Sequence, residues 1–128
     1  MNELDHSRIF RFEDMPVNRM PNGGQSFRTT HGELLTGEQV ALHGSMQLAG
    51  TVPNPAHRIE HSEVMLVQEG TLEFTHDGVT ETAGPGSVFY IPKGTLHQVK
   101  NVGVGPAKYF IVAVGGDVNK APAEGIAK

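Results

Sequence analysis

Residues 86–101, GSVFYIPKGTLHQVKN, contain the pattern that decides the fold of this chain. Two short runs, residues 87–91 and 97–101, are apolar or alternate between apolar and polar side chains. Pro92, Lys93 and Gly94 stand between them. Short runs of this kind bounded by proline and glycine are typical of β-strands. The stretch therefore predicts two strands joined by a turn, with a histidine at the start of the second strand.

The same pattern extends along the chain in both directions, and no segment sustains an apolar period of 3.6 residues. His76-Asp77-Gly78 is a hairpin signal, because Asp-Gly accepts the positive φ of a tight primed turn. Many short strands favour an all-β sandwich or barrel, which also hides strand edges. The predicted strands are residues 27–30, 39–46, 55–59, 64–68, 71–75, 79–83, 87–91, 97–101 and 108–114.

The predicted barrel spans residues 25–114, preceded by an N-terminal arm (residues 1–24) and followed by a C-terminal tail (residues 115–128). In the arm, only residues 9–12 look strand-like. The strand at residues 108–114 is apolar on both faces, which implies a second layer outside the barrel. We therefore expect a homodimer. The alternative is that the arm of the same chain covers that face.

The composition limits the classes of function. The chain has 128 residues, a net charge of −4 and 38% hydrophobic residues, as expected of one soluble domain. It has no apolar run long enough to span a membrane and no export signal, so we expect a cytoplasmic protein. Its Lys and Arg residues are scattered, which argues against nucleic-acid binding. Because there is no cysteine, any metal must bind through nitrogen and oxygen.

Histidine and glutamate concentrate in two segments that carry the candidate chemistry. A turn near residues 60–62 brings His57 and Glu63 onto adjacent strands, and a third strand contributes His97. Two imidazoles and a carboxylate suit a divalent transition metal and leave coordination positions free for substrate or oxygen. By the same alternation, an apolar cavity wall is expected from Ile59, Met65, Val67 and Val99.

The residues flanking these histidines resemble the motifs of the cupin superfamily. The second cupin motif, G-x5-P-x-G-x2-H-x3-N, matches at all its fixed positions, namely Gly86, Pro92, Gly94, His97 and Asn101. The first motif is met by His57, Glu63 and Gly70, with Gly50 one residue out of place. Ile59 stands where the family has its second histidine.

The resemblance implies a double-stranded β-helix, or jelly-roll barrel, that is commonly dimeric and holds a metal near one mouth. Its ligands would be His57, Glu63 and His97, and Ile59 would leave the fourth position without a donor. His61 could move in from the turn as a replacement ligand. Otherwise the three ligands form a triad that favours iron(II) or manganese, and His61 becomes the best-placed general acid or base. Nickel and zinc stay open as metals.

The expected function is that of a metal-dependent enzyme acting on a small molecule. An apolar cavity with one metal favours a substrate that offers one or two oxygens, such as a catechol, diketone or enol. The preferred hypothesis is a dioxygenase, which is an oxidoreductase, and isomerase or lyase chemistry is the alternative reaction. The alternative is a module that binds or senses a small ligand without turnover. His43, in the predicted strand at residues 39–46, could reach the barrel interior, but an ordinary core or surface histidine is the preferred interpretation.

Overall fold

A computed structural model describes residues 3–116 and 118 of the chain. Within these residues the regular structure is nine β-strands and one short 3₁₀ turn, Phe12–Asp14. The predicted tail, residues 115–128, lies almost wholly outside the described residues. The strands are β1 (Val17–Arg19), β2 (Gln25–Glu33), β3 (Gln39–Gln47), β4 (Ser62–Glu69), β5 (Leu72–His76), β6 (Val79–Ala83), β7 (Val88–Ile91), β8 (His97–Asn101) and β9 (Ala107–Val114).

The strands form two antiparallel sheets. One sheet has six strands in the order β1-β2-β3-β9-β4-β7, and the other has three in the order β6-β5-β8. A single bridge outside the strands joins His57, in the loop before β4, to His97 at the start of β8. The predicted all-β double-stranded β-helix is confirmed. No helix in the described part of the chain is long and apolar enough to cross a membrane.

One predicted strand is wrong, and the strand-like stretch of the arm forms no strand. Residues 55–59 form no strand and are joined to the sheet by isolated contacts such as the His57–His97 bridge, because Pro55 has no N–H to extend the ladder. Residues 9–12 pair with no strand in the described chain, and Phe12 instead packs against Phe27 with the rings tilted and their centroids 5.0 Å apart. The arm does contain one strand that was not predicted, β1, which pairs with the start of β2.

The hydrophobic core fills the space between the sheets at one end of the barrel. Leu72, Ile91 and Ala107 are fully buried there. Gly70 shows how tightly this end is closed: its φ is +87°, and a Cβ would lie 2.8 Å from both the Ala107 Cα and the Pro106 carbonyl oxygen. A larger residue would force the backbones apart, so packing accounts for the glycine at this motif position.

The outer face of the large sheet is only partly covered. Phe12 of the arm packs over Phe27, and both lie in a shallow groove with Phe110 of β9. The arm therefore covers part of the apolar face that suggested a partner. Leu66 and Tyr90 of the same sheet stay exposed. The homodimer remains a prediction.

Candidate functional site

The other end of the barrel holds a cavity of about 330 Å³ between the two sheets. Its walls come from β3, β4, β8, β9 and the loop that precedes β4. The four residues predicted as metal ligands all line this one cavity, namely His57, His61, Glu63 and His97.

His57 and His97 form one side of the cavity as a pair. Their backbones exchange two hydrogen bonds of 3.0 Å, and their rings lie 4.6 Å apart between centroids. His57 Nδ1 donates to the Pro55 carbonyl at 3.0 Å, and His97 Nδ1 donates to the Thr95 carbonyl at 2.9 Å. Because carbonyl oxygens only accept, both Nδ1 atoms carry the proton and both Nε2 atoms keep a lone pair.

Metal-binding histidines usually have this arrangement, with the other ring nitrogen donating to a backbone carbonyl or carboxylate. Burial is the main cause that lowers the pKa of His97, with repulsion from His57 and His61 in the same direction. A lowered pKa keeps the imidazole neutral, which is the form that coordinates a metal.

Glu63 and His61 form a second pair in the cavity. Glu63 points inward from β4, and its Oε2 accepts a hydrogen bond of 2.8 Å from His61 Nε2. Both side chains are buried. The other His61 nitrogen, Nδ1, is buried without a hydrogen-bond partner among the described residues. The His61 ring is thus held by Glu63 at one nitrogen and has unused capacity at the other.

Ile59 occupies the position of the missing histidine. Its side chain is 2% exposed, lines the cavity and packs into the core. An alkyl group supplies no donor atom, so no ligand comes from this point of the wall. The nearest replacement along the chain is His61, which lines the same cavity.

The donor chemistry of the cavity fits a divalent ion, although no ready-made ligand geometry is present. Within residues 3–116 and 118, no group of three or more His, Asp or Glu side chains is arranged as a metal site. The cavity nonetheless collects free Nε2 atoms on His57 and His97, a carboxylate on Glu63 and the orphaned Nδ1 of His61. Nitrogen and oxygen donors of this kind suit iron, manganese, nickel or zinc.

The cavity wall is less apolar than expected. As predicted, the cavity is lined by Ile59, Met65 and Val99, but Val67 is not among its described lining residues. Val67 lies two residues beyond Met65 on β4, at a level where the hydrophobic core fills the barrel. In its place the wall has a polar strip that the sequence interpretation did not assign to the site, made by His43, Ser45 and Gln47 of β3 with Tyr109 of β9.

His43 itself differs from its predicted role as an ordinary core or surface histidine. Its ring faces the cavity, and burial lowers its pKa. Alternation along β3 offered the signal, because residues 43, 45 and 47 share a face. Burial also raises the pKa of Tyr109, so its hydroxyl stays protonated.

Comparison with known proteins agrees with this architecture. The family described as "Cupin domain" matches residues 45–113. An RmlC-like cupin from Shewanella frigidimarina NCIMB 400 has a TM-score of 0.71 at 19% identity, over 87% of this chain and 94% of that one. KdgF from Halomonas sp. has a TM-score of 0.70 at 17% identity, over 88% of this chain and 97% of that one.

A structure of oxalate decarboxylase has a TM-score of 0.71 at 22% identity, and the match covers 94% of this chain but 34% of that chain. No curated protein sequence matches the chain. At these identities the likeness between structures concerns the fold.

Proposed function

The chain belongs to the cupin family, and from that premise we propose that it is a metal-dependent enzyme acting on a small molecule that offers oxygen atoms. The observation that carries the proposal is the pair His57 and His97, whose Nδ1 atoms both donate to carbonyls while no described residue hydrogen-bonds their Nε2 atoms, in a cavity that Glu63 also lines. His57, His97 and Glu63 would hold the ion. When bound, the ion would supply Lewis acidity and a binding position for oxygen.

The cavity walls restrict the substrate. Its described lining contains four histidines and one glutamate but no Lys or Arg. A phosphorylated sugar or a dicarboxylate would therefore meet no cationic side chain. A small neutral or enolic molecule, such as a catechol or a diketone, fits the mixture of apolar wall and polar strip better. Ile59 and Met65 contribute apolar wall, which makes their part of the cavity less favourable for water.

His61 is the residue that would move protons if it is not a ligand. Glu63 accepts from His61 Nε2, which leaves Nδ1 as the nitrogen that can accept or return a proton within the cavity. A carboxylate that holds an imidazole in one tautomer is a common arrangement for general acid-base catalysis. Dioxygenase chemistry is the first choice for this site, and isomerase or lyase chemistry would use the same groups.

Elemental analysis tests the proposal. Protein purified without chelator or affinity tag should contain close to one equivalent of a divalent transition metal. His97→Ala should retain less than about a tenth of that amount, because the substitution removes one of the three proposed ligands. His31→Ala, on the exposed part of β2, is the matched control and should keep the metal. Wild-type protein without bound metal, after incubation with iron(II), manganese(II), nickel(II) and zinc(II) in turn, would refute the proposal.

Oxygen uptake distinguishes the reactions. Metal-loaded protein should consume oxygen when catechol or acetylacetone is added, and His61→Gln should slow that consumption more than it lowers the metal content. Metal binding with no oxygen uptake removes the dioxygenase assignment and leaves isomerase or lyase chemistry.

A non-catalytic ligand-binding module is the second candidate. Ile59 favours it, because an alkyl group in place of a ligand weakens the hold on a metal. Saturable binding of a small molecule by metal-free protein, without any conversion of that molecule, would favour the binding module over the enzyme.

A further inference from the structure

His43 stands on the wall of the cavity that lies across from His97. It belongs to β3 in the six-stranded sheet, whereas His97 begins β8 in the three-stranded sheet. The strand register pairs His43 with Ile111, and Ile111 with Met65. Two strand spacings, about 10 Å of backbone, therefore separate His43 from the β4 strand that carries Glu63. An object in the cavity could contact the His57–His97 pair on one side and His43 on the other.

The other polar side chains of this wall are already occupied. The Tyr109 hydroxyl is hydrogen-bonded to the side chains of Ser45 and Gln47, at 3.0 Å from Gln47 Nε2. Gln47 Oε1 accepts from the Asn101 backbone N–H at 3.0 Å. These bonds tie β3, β8 and β9 together at the floor of the cavity. Ser45, Gln47 and Tyr109 are therefore structural groups whose bonds a ligand would have to break.

The His43 ring, in contrast, makes no hydrogen bond to any residue within 3–116 and 118. It is half-buried and faces the cavity. A ring nitrogen that faces a cavity and has no protein partner is open to water or a ligand. Its donor and acceptor are both available to whatever occupies the cavity.

The electrostatic surroundings say what kind of partner the His43 ring suits. Burial is the largest cause that lowers its pKa, the nearby His61 adds to this, and Glu63 opposes it. The ring is neutral at neutral pH and offers one N–H and one lone pair. A neutral imidazole pairs with a hydroxyl, enol or carbonyl oxygen, whereas a carboxylate or phosphate is better served by Arg or Lys.

We propose that His43 hydrogen-bonds an uncharged oxygen group of the ligand, at the side of the cavity opposite the His57–His97 pair. This rests on the proposed function in that the ligand is a small oxygen-bearing molecule, and it adds a residue and a chemical requirement that the metal-binding set does not contain. The ligand would be selected by a neutral hydroxyl, enol or carbonyl held by His43. A carboxylate of the ligand would gain less at this side of the cavity, because no Lys or Arg is among its described lining residues.

Catechol binding to the protein as purified tests this assignment. Isothermal titration of the wild type, His43→Leu, His43→Asn and His31→Leu gives the dissociation constant of each. Loss of one hydrogen bond should weaken catechol binding by His43→Leu about fivefold to tenfold. His43→Asn, which keeps a neutral donor and acceptor, should recover part of the affinity. His31→Leu, a surface control, should bind like the wild type.

A second measurement keeps the proposal testable if a variant folds poorly. In the wild type, the ring ¹⁵N resonances of His43 should shift as catechol is added, while those of His31 should not. Unshifted His43 resonances, equal affinity of His43→Leu and wild type, or no binding of catechol by the wild type would each overturn the proposal.

Elemental analysis of the same samples separates this proposal from the proposed function. If the wild type binds no metal but catechol still shifts His43, the enzyme proposal fails and the His43 assignment stands. If metal is bound and His43→Leu loses that metal, His43 belongs to the ligand set and the assignment made here is wrong.

Discussion

The two ends of the barrel are built from the same strands but hold opposite kinds of side chain. On β4 the inward face begins with Glu63 at the cavity and ends with Val67 in the core. On β9 it runs from Ala113 beside the cavity to the fully buried Ala107. At the packed end Leu72 and Ile91 have no exposed surface, whereas four histidines and one glutamate line the cavity at the other end.

This contrast indicates that stability and chemistry are separated along each strand. Close packing at one end supplies hydrophobic stabilisation, so the other end can hold polar groups that lack partners. The separation can be tested by substitution. A change at the packed end should leave metal binding unaltered, and a change at the cavity end should alter metal binding more than packing. Four predictions test it, from the largest expected effect to the smallest.

Leu72→Ala should have the largest effect. Leu72 is completely buried, and removal of its side chain leaves a hole that the closely packed end cannot fill. We expect the free energy of unfolding to fall by about 2–5 kcal/mol, measured by denaturant titration. Val79→Ala, on the exposed hairpin between β5 and β6, is the control and should cost less than about 1 kcal/mol.

The metal content of folded Leu72→Ala protein should equal that of the wild type. A large loss of metal in folded protein would show that the packed end and the cavity end are coupled, contrary to the separation inferred from the inward faces.

Ile59→His should raise the affinity of the cavity for metal and lower the stability of the metal-free protein. The new imidazole would lie beside His57 and His97, where the cupin motif has its second histidine. We expect at least about tenfold tighter zinc binding, measured by competition with a chelating dye, since changes around metal ligands commonly alter affinity by that factor. The metal-free protein should lose about 1–3 kcal/mol, because a polar ring replaces a buried alkyl group.

Ile59→Leu is the matched control, since it keeps an apolar side chain of equal size. It should change neither zinc affinity nor stability by much. Equal zinc affinity in Ile59→His and Ile59→Leu would mean that position 59 does not face the bound ion.

The sequence was sufficient to predict most strands and the set of residues at the site. Alternation locates β4, β8 and β9, and it places Glu63 and His97 on inward faces, because side-chain direction in a strand has a period of two. The motif residue Gly70 lies where the packed end of the barrel closes, against Ala107. Local pattern therefore determines which residues of one strand face inward.

The polar wall of the cavity was not predicted, for a physical reason. Tyr109 reaches Gln47 only because β3 pairs with β9 across 62 residues of sequence, and no local pattern contains that register. The same holds for Val67, whose distance from the cavity depends on where the core begins. The segment that contains Pro55 led to the opposite error, a strand predicted where none forms. An extended proline segment resembles a strand but cannot continue a ladder.

His43 should titrate below the ordinary histidine value of 6.5, as measured by NMR of its ring. Burial lowers the pKa, and Glu63 and His61 are the charged or titratable groups that act on it. The unfolded chain then binds more protons than the native protein below pH 6.5, so His43 makes stability fall as pH decreases from that value. His43→Asn should lose less stability than the wild type between pH 7 and pH 5. A His43 pKa above 6.5 would contradict the neutral imidazole inferred for the cavity.

His76 should show the opposite and smallest effect, because it is a histidine held by carboxylates outside the packed core. Its Nδ1 and Nε2 donate to Asp77 and Glu81 at 3.0 and 2.9 Å, and these hydrogen bonds raise its pKa. The stabilisation is therefore complete below pH 6.5, the ordinary histidine value, and is lost as pH rises through the raised pKa of the folded state.

Glu81→Gln should lower the stability at pH 5.5 by roughly 0.5 kcal/mol or less, since the pair is exposed to solvent, and should have no effect at pH 9. Unfolding titrations at both pH values, repeated in a His76→Gln background, measure this coupling. If Glu81→Gln has the same effect at pH 5.5 whether or not His76 is present, the carboxylate acts through some other contact. Opposite pH slopes for His43 and His76, two histidines of the same barrel, would show that local partners, rather than the fold as a whole, set the charge of each ring.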